Sequence, residues 1–273
     1  MLSNASTPRT QEARPMSRAI IAEIRKNHIE ELLKKGTRVD GRSPTDLREI
    51  TIETNVIESA DGSAIVKFGN TEVIAGVKIV PGTPYGDSPR SGVLTTGAEL
   101  IPMAHPMFES GPPGEDAIEL ARVVDRGIRE SGMVNVEELC IVEGEAVWMC
   151  FIDIYALNYD GNLFDAANLA AVSALKTATI PVVQYGKGDA DKPLPVTCLP
   201  ISVTAAKIGN TLILDPNFDE EQISSARLTI ATDDDGSFRA MQKGEDGTIT
   251  LEELTQCLDA AVEKGKEIRK LIG

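Results

Sequence analysis

Three arginines recur at positions 122, 126 and 129 of a 273-residue chain. At about 100° of rotation per helical residue, Arg122, Arg126 and Arg129 fall within about 60° of one another. Guanidinium forks grip phosphate oxygens in pairs and stay charged at any relevant pH. These three are the only basic residues between Arg90 and Lys176, in a chain with 27 basic and 42 acidic residues and a net charge of −15. Such a chain repels nucleic acid overall, so a polyanion has to be held at a local basic patch or by another subunit's charge. The stripe is therefore a candidate phosphate contact. The bland alternative is a salt-bridged exposed face, with Glu119 three residues before Arg122 and Asp125 four before Arg129 as the neutralising acids.

Other chemistries are poorly supplied. The two histidines are His28, within a helical segment, and His105, in a Pro-flanked loop, and neither sits in an H-E-x-x-H frame. There is no G-x-S-x-G elbow and no G-x-x-x-x-G-K-[ST] phosphate loop. Gly186-Lys187-Gly188 begins a G-x-G, but Asp191 stands where the third glycine belongs. Residues 242–253 look like half a calcium loop, yet Gln242 and Gly244 occupy ligand positions, so the cage cannot close. Asp246-Gly247 reads better as a hairpin turn before a helix capped by Thr250 and Glu253. The run Asp233-Asp234-Asp235-Gly236 reads as a solvated turn between strands. Cys140, Cys150, Cys198 and Cys257 form no C-x-x-C pair, which argues against thiolate zinc and fits a reducing, cytoplasmic setting. No metal and no cofactor is implied. No stretch approaches the roughly 18 apolar residues of a membrane helix, so no membrane partner is expected.

A set of helices and strands must position the arginines. Residues 1–17 are a polar tail, expected to be disordered. Residues 18–35 form an amphipathic helix with Ile20, Ile21, Ile24, Ile29, Leu32 and Leu33 on its stripe and Gly36 as its stop. Strands are expected at 50–58, 64–68, 72–80 and 92–103, with a Pro/Gly-rich loop over 81–91. A helix over 115–131 carries the arginines opposite a core face of Ala117, Leu120, Ala121, Val124 and Ile128. After it come a buried strand at 146–158 and an Ala-rich, closely packing helix at 162–178. A linker over 181–195 separates a first lobe, 18–185, from a second, 186–273, which ends in a helix over 250–271. The order is α+β, not a doubly wound βαβ series.

Four segments in this order resemble the RNase PH-like family. GTRVDGRSPTDLREI (36–50) is similar to its G-x-R-x-D-G-R…R opening, and FGNTEVIAGVKIVPGTP (68–84) to its G-x-T-x-V strand pair. LDPNFDEEQ (214–222) with the strand and hairpin after it is similar to its second half. The resemblance implies an RNase PH-like α+β fold, the ribosomal protein S5 domain 2-like βα sandwich, in two lobes. Active members carry a D-G-G-[ST]-R segment whose hydroxyl and arginine help hold the attacking phosphate. The fourth segment, at that place, reads Asp160-Gly161-Asn162-Leu163-Phe164-Asp165-Ala166-Ala167. Active members also carry acidic residues after the linker, whereas 192–214 contains no Asp or Glu. Phosphorolysis needs a phosphate seat and an acid near the leaving oxygen.

The D-G-N-L-x-D-A-A variant is similar to the non-catalytic branch of the family, the inactive ring subunit of the archaeal exosome. That resemblance implies a non-enzymatic subunit paired with a catalytic RNase PH-like subunit. Three such pairs would form a hexameric ring, with RNA in the channel and cap proteins bearing RNA-binding domains above. The reaction of the whole is 3′→5′ phosphorolysis of RNA. On this reading Arg122 and Arg126 contact phosphates near the RNA 3′ end. Arg129 is a weaker candidate because Asp125 competes for it. Arg38, Arg42 and Arg48 of the opening motif are open between structural and RNA or partner contacts. The rival readings are a divergent phosphate-dependent exoribonuclease active on its own and a spacer without RNA contact.

Overall fold

The computed structural model describes residues 25–272. The tail expected over 1–17 and the first residues of the expected first helix lie outside them. The described part of that helix, α1, covers 25–34 and buries Ile29 and Leu33 against Ala206, Ile208 and Ile213. Gly36, in the left-handed region at φ 75°, then turns the chain away.

Two sheets carry the fold. The first contains β1 (Ile50–Thr54), β2 (Gly62–Phe68), β3 (Thr71–Gly82), β4 (Val93–Leu100), β5 (Cys140–Val142) and β6 (Ala146–Asn158). Its order is β1-β2-β3-β6-β4, with β5 also on β6. All pairs are antiparallel except β4 with β6, whose crossover is helix α2 (Glu115–Ser131). Strand β1 is shorter than the alternating run over 50–58 suggests, because Asn55 adopts a left-handed φ of 57° and ends it. Helix α3 (Leu163–Lys176) is buried from Leu163 through Leu175. Its alanines permit this: at Gly62 of β2 even a Cβ would stand 2.4 Å from the Ala174 carbonyl oxygen. Two short strands, β7 (Thr179–Ile180) and β8 (Lys192–Pro193), pair across the linker segment.

The second sheet has the order β10-β9-β11-β12, built from β9 (Ile201–Ile208), β10 (Thr211–Leu214), β11 (Ala226–Thr232) and β12 (Phe238–Gly244). Helix α4 (Phe218–Ile223) comes after β10 and is begun by a capping box of Asn217 and Glu220. Helix α5 (Leu251–Ile272) covers β9 and β11, while α3 packs on β9 as well as on β2 and β3. Asp246-Gly247 proves to be the link from β12 to α5 rather than a hairpin. Thr250 and Glu253 form the box that starts the helix, with Glu253 also paired to Lys207.

Three of the four motif segments, 36–50, 160–167 and 214–222, meet in a buried polar network. Arg38, only 2% exposed, grips both carboxylate oxygens of Glu220 and donates to the carbonyls of Leu214 and Asp215, each at 2.8 Å. Arg42 reaches Asp215 at 3.0 Å, and Arg48 holds both Asp215 oxygens at 2.7 and 2.9 Å. Arg48 also donates to the Asp160 carbonyl, and Asn162 donates to Asp215 at 2.8 Å. Burial alone raises the Asp215 pKa, but hydrogen bonds and charge from Arg48 outweigh it and hold the carboxyl below its usual range. Arg38, Arg42 and Arg48 thus act as internal ties between the motifs. Removing one partner of a buried pair leaves a charge without compensation. Arg38→Met is expected to cost about 3–5 kcal/mol in denaturant unfolding, with part recovered in Arg38→Met/Glu220→Leu.

Candidate nucleic-acid interface

Helix α2 is dictated by its sequence. Glu115 and Asp116 sit in the first turn, where the helix dipole favours acids, and Gly132 closes the end in the left-handed region. The helix buries Ala117, Leu120, Ala121, Val124, Gly127 and Ile128, the expected core face with Gly127 added. Gly127 is the close-approach point, where a Cβ would stand 3.6 Å from Ala231 and Asn168. The opposite face turns Arg122, Arg126 and Arg129 outward.

The three arginines do not share one environment. Arg129 donates to both carboxylate oxygens of Asp125, at 2.9 and 3.0 Å, and to the Leu94 carbonyl. The hydrogen bond from Arg129 to Asp125 is the main reason its pKa is raised further. Arg122 and Arg126 have no ion-pair or hydrogen-bond partner among the described residues. They line an open groove of about 430 Å³ with Glu115, Ile118, Glu119, Val123 and Gln242 of β12. Glu119, which the salt-bridged alternative offers to Arg122, instead binds Arg227 of β11 at 2.6 Å. The tertiary partner wins because it is half-buried and held from behind, with its guanidinium 4.0 Å over the Phe164 ring.

The D-G-N-L-F-D segment is packed inward at its second half. Leu163 and Phe164 are buried at the head of α3. Beside them lies a cavity of about 210 Å³ lined by Asp116, Glu119, Glu221 and Glu245 along with Tyr159 and Arg227. A phosphate there would meet four carboxylates and one guanidinium already engaged. Burial raises the pKa of Glu221 despite hydrogen bonds from Tyr159 and the Asn162 amide. Asp165 is wholly internal, accepting from Asn162, the Thr204 amide and the Thr204 hydroxyl. His105 sits in an aromatic cluster with Phe108, Tyr159 and Phe218, ring centroids 4.7–6.0 Å away. In the acidic run, Asp233 pairs with Arg239, Asp234 accepts from the Leu199 amide, and Asp235 from the Ser237 amide. Arg227 is the residue that sequence reasoning missed, since nothing local marks a contact across 108 positions.

Comparison with known proteins places the chain. Residues 46–181 match domain 1 of the 3′ exoribonuclease family, RNase PH, and residues 198–264 match its domain 2. The chain belongs to the RNase PH family. It is 52% identical to the exosome complex component Rrp42 of Thermoplasma acidophilum, over 93% of this chain and 97% of that protein. With Rrp42 of Thermococcus onnurineus the identity is 50%, over 93% and 96%. A solved chain from an Archaeoglobus fulgidus exosome with RNA bound to the active site superposes with a TM-score of 0.90 at 44% identity. The match covers 93% of this chain and 100% of that one. A chain of an archaeal exosome core gives 0.87 at 41%, covering 94% and 99%. The fold is thus the RNase PH-like α+β fold.

The Asp165 carboxyl also sets a pH dependence within this RNase PH fold. Burial pushes its pKa up to about 7 from an ordinary 3.8, the hydrogen bonds opposing. The folded state therefore binds more protons between those values. Stability that is full below about pH 4 is lost as pH rises through about 7. Asn at 165 fits the same partners, with its amide donating to the Thr204 hydroxyl, which then donates to Thr229 at 2.9 Å. Relative to Asp165→Asn, the parent melting temperature is expected to fall by on the order of 5 °C between pH 4.5 and 8. Parallel melting curves check it.

Proposed function

We propose that this chain is the non-catalytic subunit of an archaeal-type exosome ring. It pairs with a catalytic RNase PH-like subunit as a trimer of heterodimers, contributes Arg122 and Arg126 to RNA phosphates, and shapes its partner's active site for 3′→5′ phosphorolysis. Cap proteins with RNA-binding domains complete the assembly, which is cytoplasmic. Among the described residues no helix is long and apolar enough to cross a membrane.

The observation that carries this reading is a contrast on two sides of α2. Outward, two guanidiniums stand exposed and, among the described residues, unpaired on a chain of net charge −15. Inward, at the place of the family's phosphate segment, Phe164 is buried beside an acid-lined cavity. A surface that attracts phosphodiesters and an interior that repels free phosphate suit a subunit that grips RNA for chemistry done next door. The similarity to Rrp42 proteins of known exosomes supports the same assignment. Arg129 takes a lesser part in RNA contact, its guanidinium being occupied by Asp125. The rival reading of a self-sufficient exoribonuclease lacks an acid in 192–214 to serve the leaving oxygen.

The purified chain alone is expected to release no nucleoside diphosphate from RNA in phosphate buffer. The ring formed with its catalytic partner is expected to do so. In that ring, Arg122→Ala/Arg126→Ala should weaken RNA binding about tenfold or more and lower the salt slope by about 1.4, roughly 0.7 per lost phosphate contact on a single strand. Unchanged binding and decay by the double variant would remove the arginines from the RNA path. Diphosphate release by the lone chain would make it an enzyme.

A further inference from the structure

Helix α2 presents Arg122 with two carboxylates at pairing spacing, Glu119 three residues before and Asp125 three after. The positions four residues away are Ile118 and Arg126. An exposed Glu–Arg pair at this spacing forms readily on an isolated helix. Here both acids are drawn off. Asp125 accepts from Arg129 on one side and from the Thr96 hydroxyl at 3.1 Å on the other. Glu119 accepts from Arg227 Nη2 at 2.6 Å.

Arg227 is built into this contact. Its guanidinium rests on the Phe164 ring at 4.0 Å, so it is held from behind as well as in front. Its cross-strand neighbour on β12 is Gly244, where a Cβ would stand 2.6 Å from Nη2 and 2.9 Å from Cζ. The missing side chain leaves room for the guanidinium to reach α2. The side chain is 14% exposed against 35% for Glu119, so water weakens this pair less than it would an Arg122–Glu119 pair on the outer face.

We propose that Arg227 is a positioning residue for RNA binding: by pairing the Glu119 carboxylate to β11, it keeps Arg122 free for phosphate. The inference rests on the reading that Arg122 meets RNA. Arg129 performs the matching service at Asp125. Phe164 takes part as the platform that fixes Arg227.

The test uses the ring assembled with its catalytic partner and a fluorescent single-stranded oligoadenylate, without inorganic phosphate so that the RNA stays intact. Dissociation constants are measured over a salt series for the parent, R227M, R227M/E119Q and R122A. In R227M, Glu119 swings to Arg122, binding weakens about twofold to fivefold, and the salt slope moves towards that of R122A. R227M/E119Q returns to the parent affinity, because the competing carboxylate is gone. Parent-like binding by R227M overturns the proposal, and so does weakened binding that E119Q does not rescue, which would mark a merely structural role. Should R227M fail to assemble, Phe164→Leu removes the platform without changing any charge and is judged by the same E119Q rescue. If R122A itself binds RNA like the parent, the functional reading fails. The positioning claim is then decided by a crystal structure of R227M, which supports it with Glu119 on Arg122 and overturns it with Glu119 elsewhere.

Discussion

One buried carboxylate organises the molecule. Asp215 accepts from Arg42, Arg48 and Asn162, from segments 167 to 173 positions away and 53 positions away. A carboxylate taken out of water is costly, and it stays ionised here because two guanidiniums and an amide replace its hydration. The same arginines continue outward, Arg42 to Asp40 and Arg48 to the backbone of Asp160 and Gly161. The network therefore brings the opening motif, the turn before α3 and the segment before α4 to one point. Gly161 is where the approach is tightest: a Cβ there would stand 2.4 Å from the Asn217 backbone, and its φ of 83° suits glycine.

The consequences of this junction are geometric. Fixing the 160–162 turn fixes the head of α3, and with it Phe164. Asp165, one residue on, ties α3 to β9 through Thr204, so the helix cannot rotate about its axis. Phe164 then presents a ring to β11, Arg227 stacks on it, and Glu119 of α2 is caught. The 160–165 segment is thus a mechanical link between the central helix and the arginine helix.

Much of the skeleton was legible because its signals are local. The 3.6-residue spacing of Ala117, Leu120, Ala121, Val124 and Ile128 gave α2 its bounds, and the apolar run ending in Asn158 gave β6. The arginine stripe was equally visible. The hidden part is set by distance along the chain. Arg38, Arg42 and Arg48 look alike in sequence as surface or buried cations, and their partners Asp215 and Glu220 lie more than 160 positions away. The partner of Glu119 was hidden for the same reason: helical spacing offers Arg122, and only the fold supplies Arg227. Asp246-Gly247 misled differently, since a turn dipeptide does not tell whether a strand or a helix comes next, and the Thr250 cap decided it.

The overall charge then ceases to be an obstacle. At physiological ionic strength the Debye length is about 8 Å, so most of the acidic surface is screened from a bound phosphate. Carboxylates within direct pairing reach of the guanidiniums are not screened. Of those at helical spacing from Arg122, both are engaged elsewhere. Arg126 faces only Glu130, in the order along the helix that pairs less well. Two adjacent like charges repel, which costs a few tenths of a kcal/mol in the free helix. A polyanion laid across them relieves that repulsion, so the strain left in the unliganded chain becomes a differential in favour of the bound state. On the proposed reading, local removal of acids, rather than addition of bases, makes a place for phosphate on a chain this acidic.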